Sequence, residues 1–184
     1  MSNTSIRKIE VVDYDPKWVD RFHQEAEKLK TEFRDSILRI HHFGSTSIPG
    51  MPAKPVIDIL VEVVDINEVD RGTDKMIKSG YFSKGEFGIA GRRFFGRGTE
   101  AFRTHHIHFY QAGNSEIDRH LDFRDYMLAH PNEKRAYGRL KWELAEKFPE
   151  SINGYNQGKA PFITEIDRKS RIWKSNMSES GHRD

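Results

Sequence analysis

Residues 56–64, VIDILVEVV, constrain the fold more than any other stretch. Val, Ile and Leu dominate it, and no Gly or Pro interrupts it, so it reads as a strand. Alternate strand residues share a face. Ile57, Ile59, Val61 and Val63 then form one wholly apolar face, which belongs to a core. Asp58, Leu60 and Glu62 form the other. Two readings of Asp58 follow from parity alone: an acid facing solvent, or an acid facing a ligand.

The surrounding elements set the fold class. Residues 9–12 read as a short strand. Asp15-Pro16 opens a helix, with an acidic cap and proline at the first position. Trp18, Phe22, Ala26, Leu29 and Phe33 then recur at helical spacing. Residues 37–43 read as a strand, and 67–78 as a helix stopped by Gly80. Glycines punctuate residues 81–110, and short strands are expected at 86–89, 92–95 and 104–110. From about residue 115 the chain turns helical. The stripes are Ile117, Leu121, Arg124 and Leu128, then Tyr137, Leu140, Leu144 and Phe148, then Phe162, Ile166 and Trp173. This order predicts an α+β fold, a mixed or antiparallel sheet flanked by helices with a C-terminal helical block. One domain spans residues 1–174, and residues 175–184 read as a mobile tail.

Before the central strand runs HHFGSTSIPGMPAKP, residues 41–55. Gly44 lets the backbone approach a ligand. Ser45, Thr46 and Ser47 add hydroxyls, Lys54 adds charge, and three prolines stiffen the rest. Such a loop can hold phosphate oxygens, or it is an ordinary ordered connection.

The joint pattern resembles the GrpB family, which is placed in the nucleotidyltransferase superfamily of polymerase β type. The blocks that carry the likeness are VVDYDPKWVDRFHQE, HHFGSTSIPGMPAKPVIDILVEV, GRRFFGRG, RTHHIHFY, LDFRDYMLAHP, YGRLKWELAEKF and YNQGKAPFITEI, and the resemblance extends over residues 9–173. The resemblance implies that Gly44 and Ser45 contact a nucleoside triphosphate and that Asp58 binds a divalent metal. It also implies a second acid two residues on, where this chain has Leu60. Several carboxylates are needed to hold hard cations at a two-metal phosphoryl-transfer site. Glu62 lies on the same face about 7 Å further along and replaces that acid only if the ligand shifts.

In RTHHIHFY, His106 and His108 share a strand face. Superfamily members take a third carboxylate from a neighbouring strand, so the resemblance puts these histidines in that region. Asp58, Glu62, His106 and His108 then form the expected metal set. Imidazole favours Zn²⁺ or Mn²⁺ over Mg²⁺, and the metal stays open among the three. The same histidines suit general acid–base work or plain strand packing. Arg93 belongs to a basic cluster with Arg92, Arg97 and Arg103, which serves either phosphate binding or a charged strand edge. Lys141 and Lys159 read as structural or ligand-orienting.

Two functions are expected. One is a metal-dependent nucleotidyltransferase acting on a small acceptor, with Asp58, His106 and His108 as catalytic residues. The other is an accessory domain that binds a nucleotide or phosphorylated small molecule and lacks the transfer chemistry, as Leu60 suggests. The family's occurrence joined to dephospho-coenzyme A kinase points the same way. A net charge of +2, with no one-sided basic helix, argues against nucleic acid. The lack of cysteine excludes thiolate metal sites and fits a reducing compartment. Cytoplasm, with no membrane partner, is the expected setting.

Overall fold

A computed structural model describes residues 8–99 and 102–180. Helix α1 (Lys17–Phe33) begins where Asp15 accepts the Lys17 N–H at 3.0 Å. Its expected apolar stripe is buried. The short N-terminal strand reduces to a single bridge, Val12 to Ala53.

Five strands form one sheet in the order β1-β2-β5-β4-β3. They are β1 (Ile37–Phe43), β2 (Ile57–Val63), β3 (Tyr81–Ser83), β4 (Arg93–Gly98) and β5 (Arg103–Gln111). β2 and β5 pair in parallel, and the other three ladders are antiparallel. The expected strand at 86–89 is a turn, with Gly85 and Gly88 at positive φ, and β3 lies just before it.

The expected helix over 67–78 is two helices, α2 (Ile66–Arg71) and α3 (Thr73–Lys78), parted at Gly72. A Cβ on Gly72 would stand 2.7 Å from the Phe33 ring, so the close approach to α1 demands glycine there. The helical block is α4 (Ser115–Ala129), α5 (Pro131–Lys147) and α6 (Ile152–Ser180). Helix α6 runs through 175–180, where the sequence suggested a mobile tail, and 181–184 lie outside the described residues. Gly158 brings α6 onto α5, since a Cβ there would meet Leu144 Cδ2 at 2.3 Å. Among the described residues no helix is long and apolar enough to cross a membrane.

The sheet separates two environments. Ile57, Ile59, Val61 and Val63 join Phe95, Ile107 and Phe109 beneath α1 in the main core. Strand register puts Asp58, Leu60 and Glu62 beside His106, His108 and Tyr110 on the opposite face. Leu60 and Tyr110 pack there with Phe43 and with Ile117 of α4.

At these layers His108 is buried and His42 and His120 are half-buried. His42 stacks on Phe22 at 4.8 Å. His108 and His120 both contact the Phe43 ring. Burial pushes His42 and His120 down to about 4 and His108 to about 3. In the unfolded chain each titrates near 6.5. Below that pH the unfolded state binds protons that the folded state refuses, so stability is lost as pH falls from 6.5 toward 4. The expected loss is about 1.4 kcal/mol per pH unit for each histidine. Urea unfolding midpoints between pH 7 and 4.5 measure it, and His120→Asn should give a shallower decline; equal slopes in the two proteins would contradict the assignment.

Candidate anion-binding cleft

The turn after β1 builds one wall of the site. Gly44 has φ +70, and a Cβ on it would lie 2.5 Å from Asp58 Oδ2. The Asp58 carboxylate therefore rests against bare backbone that only glycine provides. Residues Ser45–Ser47 form a 3-10 turn. Ser47 Oγ donates back to the Gly44 carbonyl at 2.6 Å, and Thr46 Oγ1 pairs with His42 Nε2 at 3.0 Å. Two of the three hydroxyls thus hold the turn itself, while Ser45 lines the cleft on both sides of Asp58.

Donors on the helices hold the loop from outside. Arg124 donates to the His42 carbonyl at 3.1 Å and Lys134 to the Pro49 carbonyl at 3.0 Å. Lys141 donates to the Pro52 carbonyl. The prolines prevent this loop from joining a ladder, and α4 and α5 supply the donors that its carbonyls require.

On the other side, β5 sets His106 level with Asp58. His106 Nδ1 donates to Asp58 Oδ1 at 3.1 Å. Its Nε2 is buried without a hydrogen-bond partner. Burial alone would raise the Asp58 carboxyl, but the His106 hydrogen bond, with the charge of Lys54 adding to it, holds it below its ordinary value.

The cleft between this sheet edge and the helical block has two adjoining chambers that share Ser45, Asp58 and Lys159. The first, about 240 Å³, is cationic and also holds Lys54, His106, Lys141, Tyr155 and Asn156. Lys54 and Lys159 both lie over the Tyr155 ring, at 5.2 and 4.5 Å. Burial pushes Lys159 down to about 8, against the opposing pull of Asp58. The second chamber, about 210 Å³, has Phe43, Phe123, Tyr137 and Ile163 as its apolar walls. At its edge Arg119 Nε donates to Asp167 Oδ2 at 2.9 Å.

Of the residues singled out in the sequence, the fold brings Gly44, Ser45, Thr46, Lys54, Asp58 and His106 together. Lys141 and Lys159 join them from the helices, whereas Glu62, His108 and Arg93 lie elsewhere. Glu62 stands at the far end of β2, where its carboxylate accepts from His41 Nε2 at 2.6 Å and lies 3.6 Å from Arg39. His108 is level with Leu60 and is buried between Phe43 and Phe94, with Arg92 3.4 Å from its Nδ1. Arg93 points to the α1–α3 side and grips Asp70 at 2.6 and 2.8 Å. The rest of the basic cluster disperses as well: Arg97 pairs with buried Glu25 at 2.6 Å, and Arg92 caps the carbonyls of Glu86 and Phe87.

The donor set does not fit a two-metal centre. Leu60 fills the second acidic position with a fully buried side chain, and Glu62 is engaged elsewhere. Among the described residues no three His, Asp or Glu side chains are grouped to hold a metal.

Tyr137, Tyr155, Arg119 and Phe123 also line the cleft, though in the sequence they read as ordinary stripe or surface residues. Lys141 and Lys159 are visible in the sequence as helix lysines, and only the fold sets them beside Asp58. The Tyr-Asn-x-x-Lys spacing of residues 155, 156 and 159 sets them on one face of a helix, a signal that needs the sheet's position before it points anywhere.

YqkA of Bacillus subtilis is 48% identical over 95% of this chain, which spans 50% of that protein's length. A dephospho-CoA kinase of Mycolicibacterium paratuberculosis is 24% identical over 90% of this chain and 46% of its own. The crystal structure of the conserved protein GrpB from Enterococcus faecalis is 42% identical, with a TM-score of 0.85, and covers 89% of this chain and 99% of that one. The description "GrpB protein" fits residues 8–169, nearly the whole described structure, and the chain therefore belongs to the GrpB family.

Proposed function

We propose that the cleft binds a nucleotide or a phosphorylated small molecule, and that this chain is a binding domain in which two-metal nucleotidyl transfer is lost. The observation that carries the reading is the convergence of Lys54 and Lys159 over one tyrosine ring, beside the Ser45 turn. Desolvated ammonium groups attract phosphate oxygens more strongly than solvated ones do. The aromatic second chamber gives room for the organic part of the ligand. Leu60 and the engaged Glu62 weigh against a metal-dependent transferase. The kinship with a dephospho-CoA kinase is in keeping with an accessory binding role.

One observation favours transfer chemistry instead. His106 donates to Asp58 through Nδ1 and leaves Nε2 without a partner at the cleft. In the neutral ring that nitrogen accepts a proton, and Asp58 fixes its orientation. Pyrophosphate release from a nucleoside triphosphate, abolished by His106→Gln, would establish this second reading.

Isothermal titration with pyrophosphate, ATP and UTP, with and without Mg²⁺ or Mn²⁺, tests the binding reading. Binding should survive chelation of metal. Lys159→Met should weaken it about 10- to 100-fold, the worth of one charge-assisted hydrogen bond. No binding of any of these to the folded protein would overturn it. Gly44→Ala should also reduce affinity, by about tenfold or more, because the new methyl group displaces the Asp58 carboxylate; circular dichroism checks that the variant remains folded.

A further inference from the structure

Anion binding leaves one group in the cleft unexplained. Lys141 on α5 lines the cationic chamber with Lys54 and Lys159, yet it is only 2% exposed. Its Nζ donates to the Pro52 carbonyl and lies 4.8 Å from the centroid of the Tyr137 ring. Among the described residues no carboxylate is within ion-pair distance of it. A buried ammonium with no counter-ion and two like charges nearby gives up its proton. Burial, then the charges of Lys159 and Lys54, push this amine down to about 6. The remaining polar groups of the chamber do not offset this: Asp58 on β2 acts on Lys159, and His106 on β5 is bonded to Asp58. A neutral amine adds nothing to the attraction of phosphate. It keeps N–H bonds for Pro52 and a lone pair for an electrophile. A lysine desolvated beside another cation is the arrangement in which amines attack carbonyl carbon.

We propose that Lys141 is a carbonyl-reactive amine, and that the cleft accepts a phosphorylated aldehyde or ketone whose phosphate is held by Lys54 and Lys159. The proposal rests on the anion-binding reading of the same chamber. Lys141 nitrogen attacks the carbonyl carbon, and the carbon–oxygen π electrons move to oxygen. Proton transfer from nitrogen to oxygen gives a carbinolamine. Loss of hydroxyl as water, with a second proton leaving nitrogen, forms the C=N bond. Amine plus carbonyl thus gives imine plus one water, and no oxidant or reductant is needed.

Pyridoxal 5′-phosphate, a phosphorylated aldehyde, is the probe. The full chain is incubated with it at pH 7, reduced with borohydride, and mapped by peptide mass spectrometry. Lys141 should carry most of the adduct. Excess pyrophosphate should suppress it, and unphosphorylated pyridoxal should label Lys141 at least tenfold less. Lys141→Met should lose the adduct, and circular dichroism checks that the variant remains folded. Pyrophosphate binding with label confined to exposed lysines would overturn the proposal alone. No pyrophosphate binding, with pyridoxal and its phosphate labelling Lys141 equally, would overturn the anion reading and with it the phosphorylated substrate.

Discussion

The parallel pairing of β2 with β5 governs the rest of this structure. It sets Asp58 level with His106 and Leu60 level with His108. Because parallel neighbours point their side chains the same way at each level, the ladder delivers one polar pair at its start and packed side chains beyond it. The pair stands where β1 ends against Asp58, so the Gly44 turn falls beside it. Moving the register by one residue would bury the acid in the α1 core and turn Ile57 and Ile59 outward.

That ladder alone makes half a site. The helical block supplies the other half, and its docking depends on small contacts. Gly158 seats α6 on α5, and Arg124, Lys134 and Lys141 meet the carbonyls of a loop whose one backbone pairing is the Val12–Ala53 bridge among the described residues. The same docking carries Tyr155 and Lys159 over the cleft. Loop ordering and the placement of Lys159 over the cleft therefore depend on the same helix docking.

Much of this was legible in the sequence because strand parity is a strict rule. Parity separated Asp58 from the apolar face of β2 and paired His106 with His108, and the structure has both on the expected side. Parity does not say where along a ladder a pocket ends. Glu62 and His108 share the face of Asp58 yet lie too far along it, one claimed by His41 and the other sealed under Phe43. Arg93 showed the reverse problem. Its phosphate-like chemistry was plain, but its direction depended on the start of β4, and the register turns it to Asp70. The lysines of α5 and α6 were visible as residues and illegible as a cluster, because helix packing across the sheet leaves no local pattern.

Asp58 and Lys159 open onto the same partly desolvated cleft. Side-chain carbon NMR of the lysines measures this directly through the Lys159 titration in wild type and in Asp58→Asn. A midpoint near 8 is expected in wild type. Removing the carboxylate removes the charge that favours the ammonium form, so the midpoint should fall further in the variant. An ordinary lysine midpoint, unmoved by the substitution, would contradict the geometry.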